Sequence, residues 1–450
     1  IELDFTARTN PVNAEVAGAS HPTQFLFEGR YKKREFSGAA LSGAVISFRD
    51  SGLSFPLRGH MISRNTRLDF DGAFTDVFDL ARIDAHMRLT GPTLALVHPF
   101  LRVRPAESAP YAIEAQLAQA DRVYRFTQLV GKIGATPLSG EVIYDRSGER
   151  PRVDAKLHSD AAQLDDLRPF FGVPSVNRVV RKPRSNAQAP LRQESEAAPT
   201  NLDRTGAMRA ADVRLTSSLK KLTLDTFGVI ENVVIEANLQ NGLLEIKPFS
   251  AQVAGGTVTG ALTLDRRSVG AASTLIGELR GVRIERLLPK ASAKSATAGA
   301  LNAQLKLTSR GEALGAMLES AAGSLVATLD GGRISNLADA KLGLNFGKML
   351  SVFVRGDRAI AINCGAATFD VRAGIARSRR IVFDTEETRV EGAGSINFIQ
   401  QQLDLLLTPE PKNPGLFTRR ASVRIRGALR SPAISIEERV EQAVKAQGRC

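Results

Sequence analysis

The sequence predicts a mostly β protein: an elongated, curved antiparallel sheet of repeated hairpins, groove- or taco-like, with a few short helices mainly in the C-terminal third. Three observations predict it. The stretch Leu243 to Asp265, LLEIKPFSAQVAGGTVTGALTLD, alternates apolar and polar residues on either side of a glycine pair. It recurs without a gap 120 residues upstream, as Val123 to Asp145. Short alternating runs bounded by Gly, Pro, Asn and Asp fill most of the remaining chain, a density that suits antiparallel structure.

Within the hairpin, Leu244, Ile246 and Val253 of the first arm are separated by polar residues, and Pro248, which lacks an N–H, suits a sheet edge or a bulge. Gly255-Gly256 supplies the positive φ that reverses the chain. In the second arm Val258, Gly260, Leu262 and Leu264 share one face, and Thr257, Thr259, Thr263 and Asp265 the other, because successive strand side chains point oppositely. In the upstream copy Phe126 replaces Ile246, Leu129 replaces Phe249, and Ile133 replaces Val253. Leu138, Gly140 and Asp145 likewise take the places of Val258, Gly260 and Asp265. Ile381 to Phe398 keeps a shorter version and Thr66 to Phe74 a looser one.

Along the chain, strands are expected at Ile1–Phe5, Phe25–Phe27, Ala44–Phe48, Leu53–Leu57, Leu68–Phe74 and Ile83–Leu89, with a helical turn at Thr93–Phe100. Tyr111 to Asp145 holds the first clear repeat, followed by a strand at Arg152–Leu157 and a short helix or turn at Leu164–Phe171. Ser175 to Ala210 is rich in Arg, Pro, Ala, Gln and Ser and has almost no apolar periodicity, so it reads as a mobile polar, basic loop. Strands resume at Ala211–Leu215, Leu222–Leu224 and Val233–Leu239, then at Leu275–Ile284 and Leu301–Leu307 around a loop at Lys290–Ala300. Helical spacing marks Glu312–Ala322 and Leu337–Val352. Strands close the chain at Ile360–Ile362, Thr368–Val371, Ile381–Phe383, Arg389–Phe398, Leu403–Leu407 and Ala421–Leu429. The resulting division is 1–174 (N-terminal hairpin repeats), 175–210 (loop), 211–310 (central repeats), 311–437 (C-terminal β region with helices) and 438–450 (tail).

The 450 residues carry a formal net charge of +13 and a pI near 10.0, which admits nucleic acid or an anionic membrane surface as partner. The basic residues are scattered along strands rather than gathered in a stripe, Trp is absent, and no recognition-helix or zinc-finger pattern occurs, which argues against nucleic acid. Two cysteines, Cys364 and Cys450, make neither a disulfide scaffold nor a Cys-ligated metal site. No run of about 18 apolar residues crosses a membrane. The chain begins at Ile1 in a strand-like stretch without Met, so an upstream piece carrying an anchor is expected.

Catalytic signatures are missing. His21, His60, His86, His98 and His158 fall in no zinc spacing. There is no GxSxG elbow or GxGxxG turn, and GLNFGK at Gly343 to Lys348 has its glycines one residue too close for a phosphate loop. Asp165-Asp166 reads as the start of a helix, Asp69 to Gly72 (DFDG) as a β-turn, and Asp384 to Glu387 as a solvated hairpin tip. The expectation is therefore no enzyme activity, no catalytic residues, no metal and no cofactor.

The motifs SGAALSGAVISFRDSGLSFPLRG (Ser37 to Gly59), PLSGEVIYDRSGERPRVDAKL (Pro137 to Leu157), LDDLRPFFG (Leu164 to Gly172), NGLLEIKPFSAQVAGGTVTGALTLD (Asn241 to Asp265) and VRIRGALRSPAISIE (Val423 to Glu437) together resemble the AsmA family of Gram-negative envelope proteins. The resemblance runs over essentially the whole chain. It implies a periplasmic β-rich body anchored in the inner membrane by a segment outside this chain. It also implies bridge-like transport of phospholipid or another envelope lipid, in the manner of the related TamB and chorein-type bridges.

A one-sided strand must cover its apolar side, because at about 25 cal/mol per Å² a wet face on many strands costs more than a domain's net stability. A facing sheet or the acyl chains of a lipid would both serve. On the lipid reading the groove candidates are Leu138, Val142 and Tyr144, and Val258, Leu262 and Leu264. The partners would be lipid and membrane, with outer-membrane assembly proteins as the competing partners of exposed sheet edges.

Overall fold

Backbone N–H and C=O groups must be paired, and short alternating strands joined by tight turns pair most readily with their neighbours in sequence. The computed structural model describes residues 3–11, 23–31, 34–42, 54–75, 82–100, 107–171, 208–224, 228–268, 270–287, 298–311, 314–335, 359–413, 421–429 and 431–438. The chain divides into two units, Ile1–Gly242 and Leu243–Cys450.

The first unit contains β1 (Leu3–Pro11), β2 (Thr23–Tyr31), β3 (Arg34–Ser42), β4 (Ser54–Ser63), β5 (Thr66–Thr75), β6 (Arg82–Gly91), β7 (Tyr111–Ala120), β8 (Val123–Ile133), β9 (Thr136–Asp145), β10 (Arg152–Ser159), β11 (Ala162–Gln163), β12 (Asp212–Leu224) and β13 (Gly228–Gln240). Each strand from β1 to β10 is antiparallel to the next. The order then changes: β10 and β11 lie parallel to β12, with Arg152 opposite Asp212 and Ala162 opposite Leu222, and β13 returns antiparallel. A parallel pair needs a long crossover, and this one begins with α1 (Leu164–Leu167) and a 3-10 turn at Arg168–Phe171. A second 3-10 turn, Leu94–Phe100, follows β6.

The second unit is β14 (Leu243–Val253), β15 (Gly256–Asp265), β16 (Ala272–Arg283), α2 (Ile284–Leu287), β17 (Ala298–Arg310), α3 (Leu314–Ser320), β18 (Ala322–Ser335), β19 (Ala359–Arg372), β20 (Ile375–Thr385), β21 (Thr388–Asn397), β22 (Gln402–Pro411), β23 (Ala421–Ala428) and β24 (Ser431–Glu438). Every consecutive pair of strands is antiparallel.

The 120-residue repeat is reproduced in the pairing register. Val123 lies opposite Asp145 and Leu243 opposite Asp265, and both hairpins slip at a bulge in the same place, between Phe126 and Leu129 and between Ile246 and Phe249. Pro248 sits in that bulge, where the ladder asks for no donor. The third strand joins at the same register, Arg152 opposite Asp145 and Ala272 opposite Asp265. A four-residue helix follows at the same offset, α1 and then α2. Each copy also closes the strand end with a carboxylate: Asp145 Oδ1 accepts from the Ser147 N–H at 2.8 Å, and Asp265 Oδ1 from the Arg267 N–H at 3.0 Å.

Several expectations move. The turn of the second copy is centred on Ala254 (φ 48°) and Gly255 (φ 81°), one residue before the predicted Gly255-Gly256. Gly256 already pairs with Val253, because a two-residue loop with both centres left-handed matches the strand twist. DFDG is strand interior in β5, not a turn. Asp69 pairs with Arg88 and Asp71 with Arg58 across the ladder, and Gly72 allows the close approach of β6: a Cβ there would lie 2.5 Å from the Ala85 Cβ. Asp165 and Asp166 occupy the first turn of α1, as expected. Asp166, however, reaches the neighbouring hairpin turn and accepts from the Ala135 N–H (2.9 Å), the Thr136 N–H (3.1 Å) and the Thr136 hydroxyl (2.8 Å). Asp165 pairs with Arg168 at 3.0 Å. At the acidic tip, Glu386 and Glu387 form the turn while Asp384 is held by Asn363 and Lys412. Strands β3, β18 and β24 were not anticipated, since Gly, Ala and Ser dilute their alternation. The predicted Ala44–Phe48 strand, the Leu337–Val352 helix, GLNFGK, His21 and nearly all of the 175–210 loop and 438–450 tail lie outside the described residues.

Two outcomes follow from the turns. Asp166→Ala, which orphans three donors, is expected to destabilise the β8–β9 turn by about 2 kcal/mol, read as faster amide exchange at Thr136; Asp165→Ala leaves that exchange unchanged. The Arg267 guanidinium, by hydrogen bond and charge, holds the Asp265 carboxyl down at about 2. A lowered folded pKa gives stabilisation that is present above the unfolded value of about 3.9 and lost as pH falls towards 2. An NMR titration should therefore place the Asp265 midpoint near 2, rising only part of the way to the ordinary range in Arg267→Ala, which keeps the backbone N–H bond to Asp265.

Candidate functional site

Register decides which side chains share a face. In β9, Leu138 lies opposite Gly131, Val142 between Phe126 and Ala155, and Tyr144 between Tyr124 and Val153. The Val142 row extends through Leu117 to Ala85 on one side, and through Leu215 to Ala237 on the other. In β15, Val258 lies between Ala251 and Leu279, Leu262 between Ile246 and Leu275, and Leu264 between Leu244 and Ser273. The Val258 row then runs through Ala303, Ala327, Ala367, Ile381, Gly392, Leu407 and Val423 to Ile436 without a charged residue. Each predicted trio thus shares the apolar face of its own unit.

These residues are buried sideways. Phe369, Val371 and Ala376 form a cluster with Ala321, and the side chains packed on it, Leu307, Leu325, Ala367, Ile381 and Ile396, come from neighbouring strands of the same sheet. Leu329, Ile334, Ile360 and Ile362 form a second cluster, closed by Ile284 of α2 and by Phe383. Leu138, Val142, Val258, Leu262 and Leu264 remain half-buried, whereas Tyr144 is buried. The polar groups on this face include a matched pair, Ser273 Oγ and Ser309 Oγ at 2.6 Å.

The opposite face is a ladder of alternating charge. Arg58 meets Asp71 at 2.7 Å, Lys156 meets Glu141 at 2.7 Å, and Arg424 meets Asp404 at 2.8 Å. The Arg424 guanidinium holds the Asp404 carboxyl below its usual range. Such exposed pairs add little stability, but they keep this face in water.

Sequence reasoning missed one constellation here. The parallel pairing of β10 with β12 sets His158 Nδ1 2.9 Å from Ser218 Oγ, and His158 Nε2 lies 3.4 Å from Asp160 Oδ1. His158 and Ser218 border an open cavity of about 430 Å³ with Glu141, Lys156 and Thr216. The histidine and aspartate side chains are 48% and 71% exposed, so water competes for each hydrogen bond. Among the described residues no group of His, Cys, Asp and Glu is placed to hold a metal, and Cys364 is disulfide-bonded. No helix of the described residues is long and apolar enough to cross a membrane.

The sequence is 24% identical over 420 residues to the AsmA family protein YhjG of Escherichia coli strain K12, an alignment covering 91% of this chain and 61% of the relative. The chain therefore spans about three fifths of that relative's length. The profile of the AsmA family matches residues 53–381, a stretch that runs from the start of β4 into β20 and contains both copies of the repeat, so this chain belongs to the AsmA family.

Proposed function

We propose that the chain is a non-enzymatic lipid conduit of the bacterial envelope, carrying phospholipid between inner and outer membrane and so contributing to outer-membrane lipid balance. Family membership supports an envelope-related role. The observation that supports lipid in particular is the unbroken apolar row across eleven strands of the second unit, from Ala251 and Val258 through to Ile436. A 16-carbon chain fully leaving water gains roughly 13 kcal/mol at about 0.8 kcal/mol per CH₂, and against the apolar face it recovers the share set by the area that the face covers. A row of similar side chains offers successive positions of similar energy, so a chain can slide along it without a nucleotide to drive it. On this reading the body lies in the periplasm, an inner-membrane anchor belongs to a part of the protein outside this chain, and head groups stay at the polar rim.

A second reading, a partner-binding assembly factor for outer-membrane proteins, is favoured by one feature. Among the described residues β24 pairs on one side only, with β23, and presents Ile434 at 70% and Ile436 at 50% exposure. A bare strand edge accepts another strand.

Organic extraction followed by mass spectrometry tests the first reading. The wild-type chain is expected to yield phospholipid in stoichiometric amount. Leu262→Asp should lower the yield at least tenfold with the β spectrum retained, since a carboxylate on the face costs several kcal/mol. Gly277→Phe is a plug that avoids the backbone, because a Cβ there meets only the Leu305 Cβ at 3.8 Å; it should block transfer between vesicles while the protein stays folded. A lipid-free wild-type protein sinks the conduit. Photocrosslinkers at Ile434 decide the second reading: capture of a protein supports it, and capture of lipid alone does not.

A further inference from the structure

One row of the first unit's face departs from the apolar rule. Across β5 to β10 it reads Phe74, Ile83, Gln119, Tyr124, Tyr144 and Val153. Gln119 is 6% exposed and Tyr144 is 8% exposed, and both Gln119 Oε1 and the Tyr144 hydroxyl are buried without a hydrogen-bond partner. The Tyr124 ring lies between them, 6.0 Å from that of Tyr144. Their other neighbours in the row, Ile83 and Val153, offer neither donor nor acceptor in their side chains. Folded proteins rarely leave such atoms bare.

The repeat supplies an internal control. At the same 120-residue offset, the counterparts of Gln119, Tyr124 and Tyr144 are Leu239, Leu244 and Leu264. The β14–β15 hairpin carries leucine at the counterparts of both tyrosines, with Leu244 opposite Leu264 in the register that sets Tyr124 opposite Tyr144. The polar atoms are therefore not demanded by the hairpin itself.

We propose that Gln119 and Tyr144 select the lipid: they contact a group at the junction of head and chain that both donates and accepts a hydrogen bond, a hydroxyl or a secondary amide. The Tyr144 O–H donates to the oxygen of that group, and Gln119 Oε1 accepts from its O–H or N–H. A simple ester accepts only, and it leaves Gln119 bare. The inference rests on the lipid-conduit reading and adds a chemical preference to it: among phospholipids, those with a free hydroxyl or an amide at the junction are favoured over plain diesters.

The test measures displacement of a fluorescent acyl probe from the whole chain by hexadecanol, N-methylhexadecanamide and methyl hexadecanoate. The alcohol and the amide are expected to bind about tenfold tighter than the ester, the worth of one satisfied buried group; whichever of the two binds tighter names the source. Gln119→Leu should erase the preference, leaving ester affinity within twofold and melting temperature equal or higher, whereas Tyr144→Phe should weaken all three ligands and keep the alcohol and the amide ahead of the ester. Equal affinities for all three in the wild-type chain overturn the selection and leave the conduit standing. So does a Gln119→Leu variant that loses ester and alcohol alike, which marks a structural role. If none of the three displaces the probe, the conduit reading falls, and this inference falls with it.

Discussion

The structure depends on the antiparallel ladder and its strict two-residue alternation. Once Val142 is set opposite Ala155 and Phe126, every second residue of three strands is committed to one face, and each further strand inherits the choice. A slip of one residue would exchange Tyr144 with Asp145 and move the whole apolar set into water, which is why register is so strongly held. The tight turns, the carboxylates of Asp145 and Asp265 that close the strand ends, and the bulges shared by the two copies all act to keep that register.

The two faces consequently do different work. On one, Arg, Lys, Asp and Glu alternate across strands and remain hydrated, adding solubility more than stability. On the other, burial is lateral, with Phe369 and Val371 covered by Leu325, Leu307 and Ile396 of the same sheet. Lateral burial leaves the outer part of each side chain available, as the half-exposed Leu262 and Leu264 illustrate. The short helices occupy strand ends: Asp166 of α1 binds the β8–β9 turn, and Ile284 of α2 closes one apolar cluster.

Where alternation was strong, the sequence was readable. β9 and β15 and their facing residues follow from period two alone, and the matching bulges follow from a gapless repeat with proline in one copy. Strands rich in small residues, such as β18 with Gly323, Gly331 and Gly332, carry too little apolar contrast to be seen. DFDG was misread because Asp and Gly are common in turns, yet here Arg58 and Arg88 on neighbouring strands make the aspartates favourable in a ladder. The trio of His158, Ser218 and Asp160 depends on a parallel pairing across a long connection, which local pattern does not encode.

Taken alone, the sequence determined the strand content, the one-sided faces and the 120-residue unit, because each is a matter of local periodicity and backbone chemistry. It also determined the absence of the motif spacings by which catalysis is usually recognised. Only the tertiary structure decided how the strands are ordered, that β10 and β12 run parallel, and that apolar positions more than a hundred residues apart in the chain line up in single rows. It alone showed that Gln119 and Tyr144, polar residues in an apolar row, are buried with atoms left bare. Pairing between distant segments and the burial it produces are properties of the assembled ladder, set by the sum of many weak contacts that no single stretch contains.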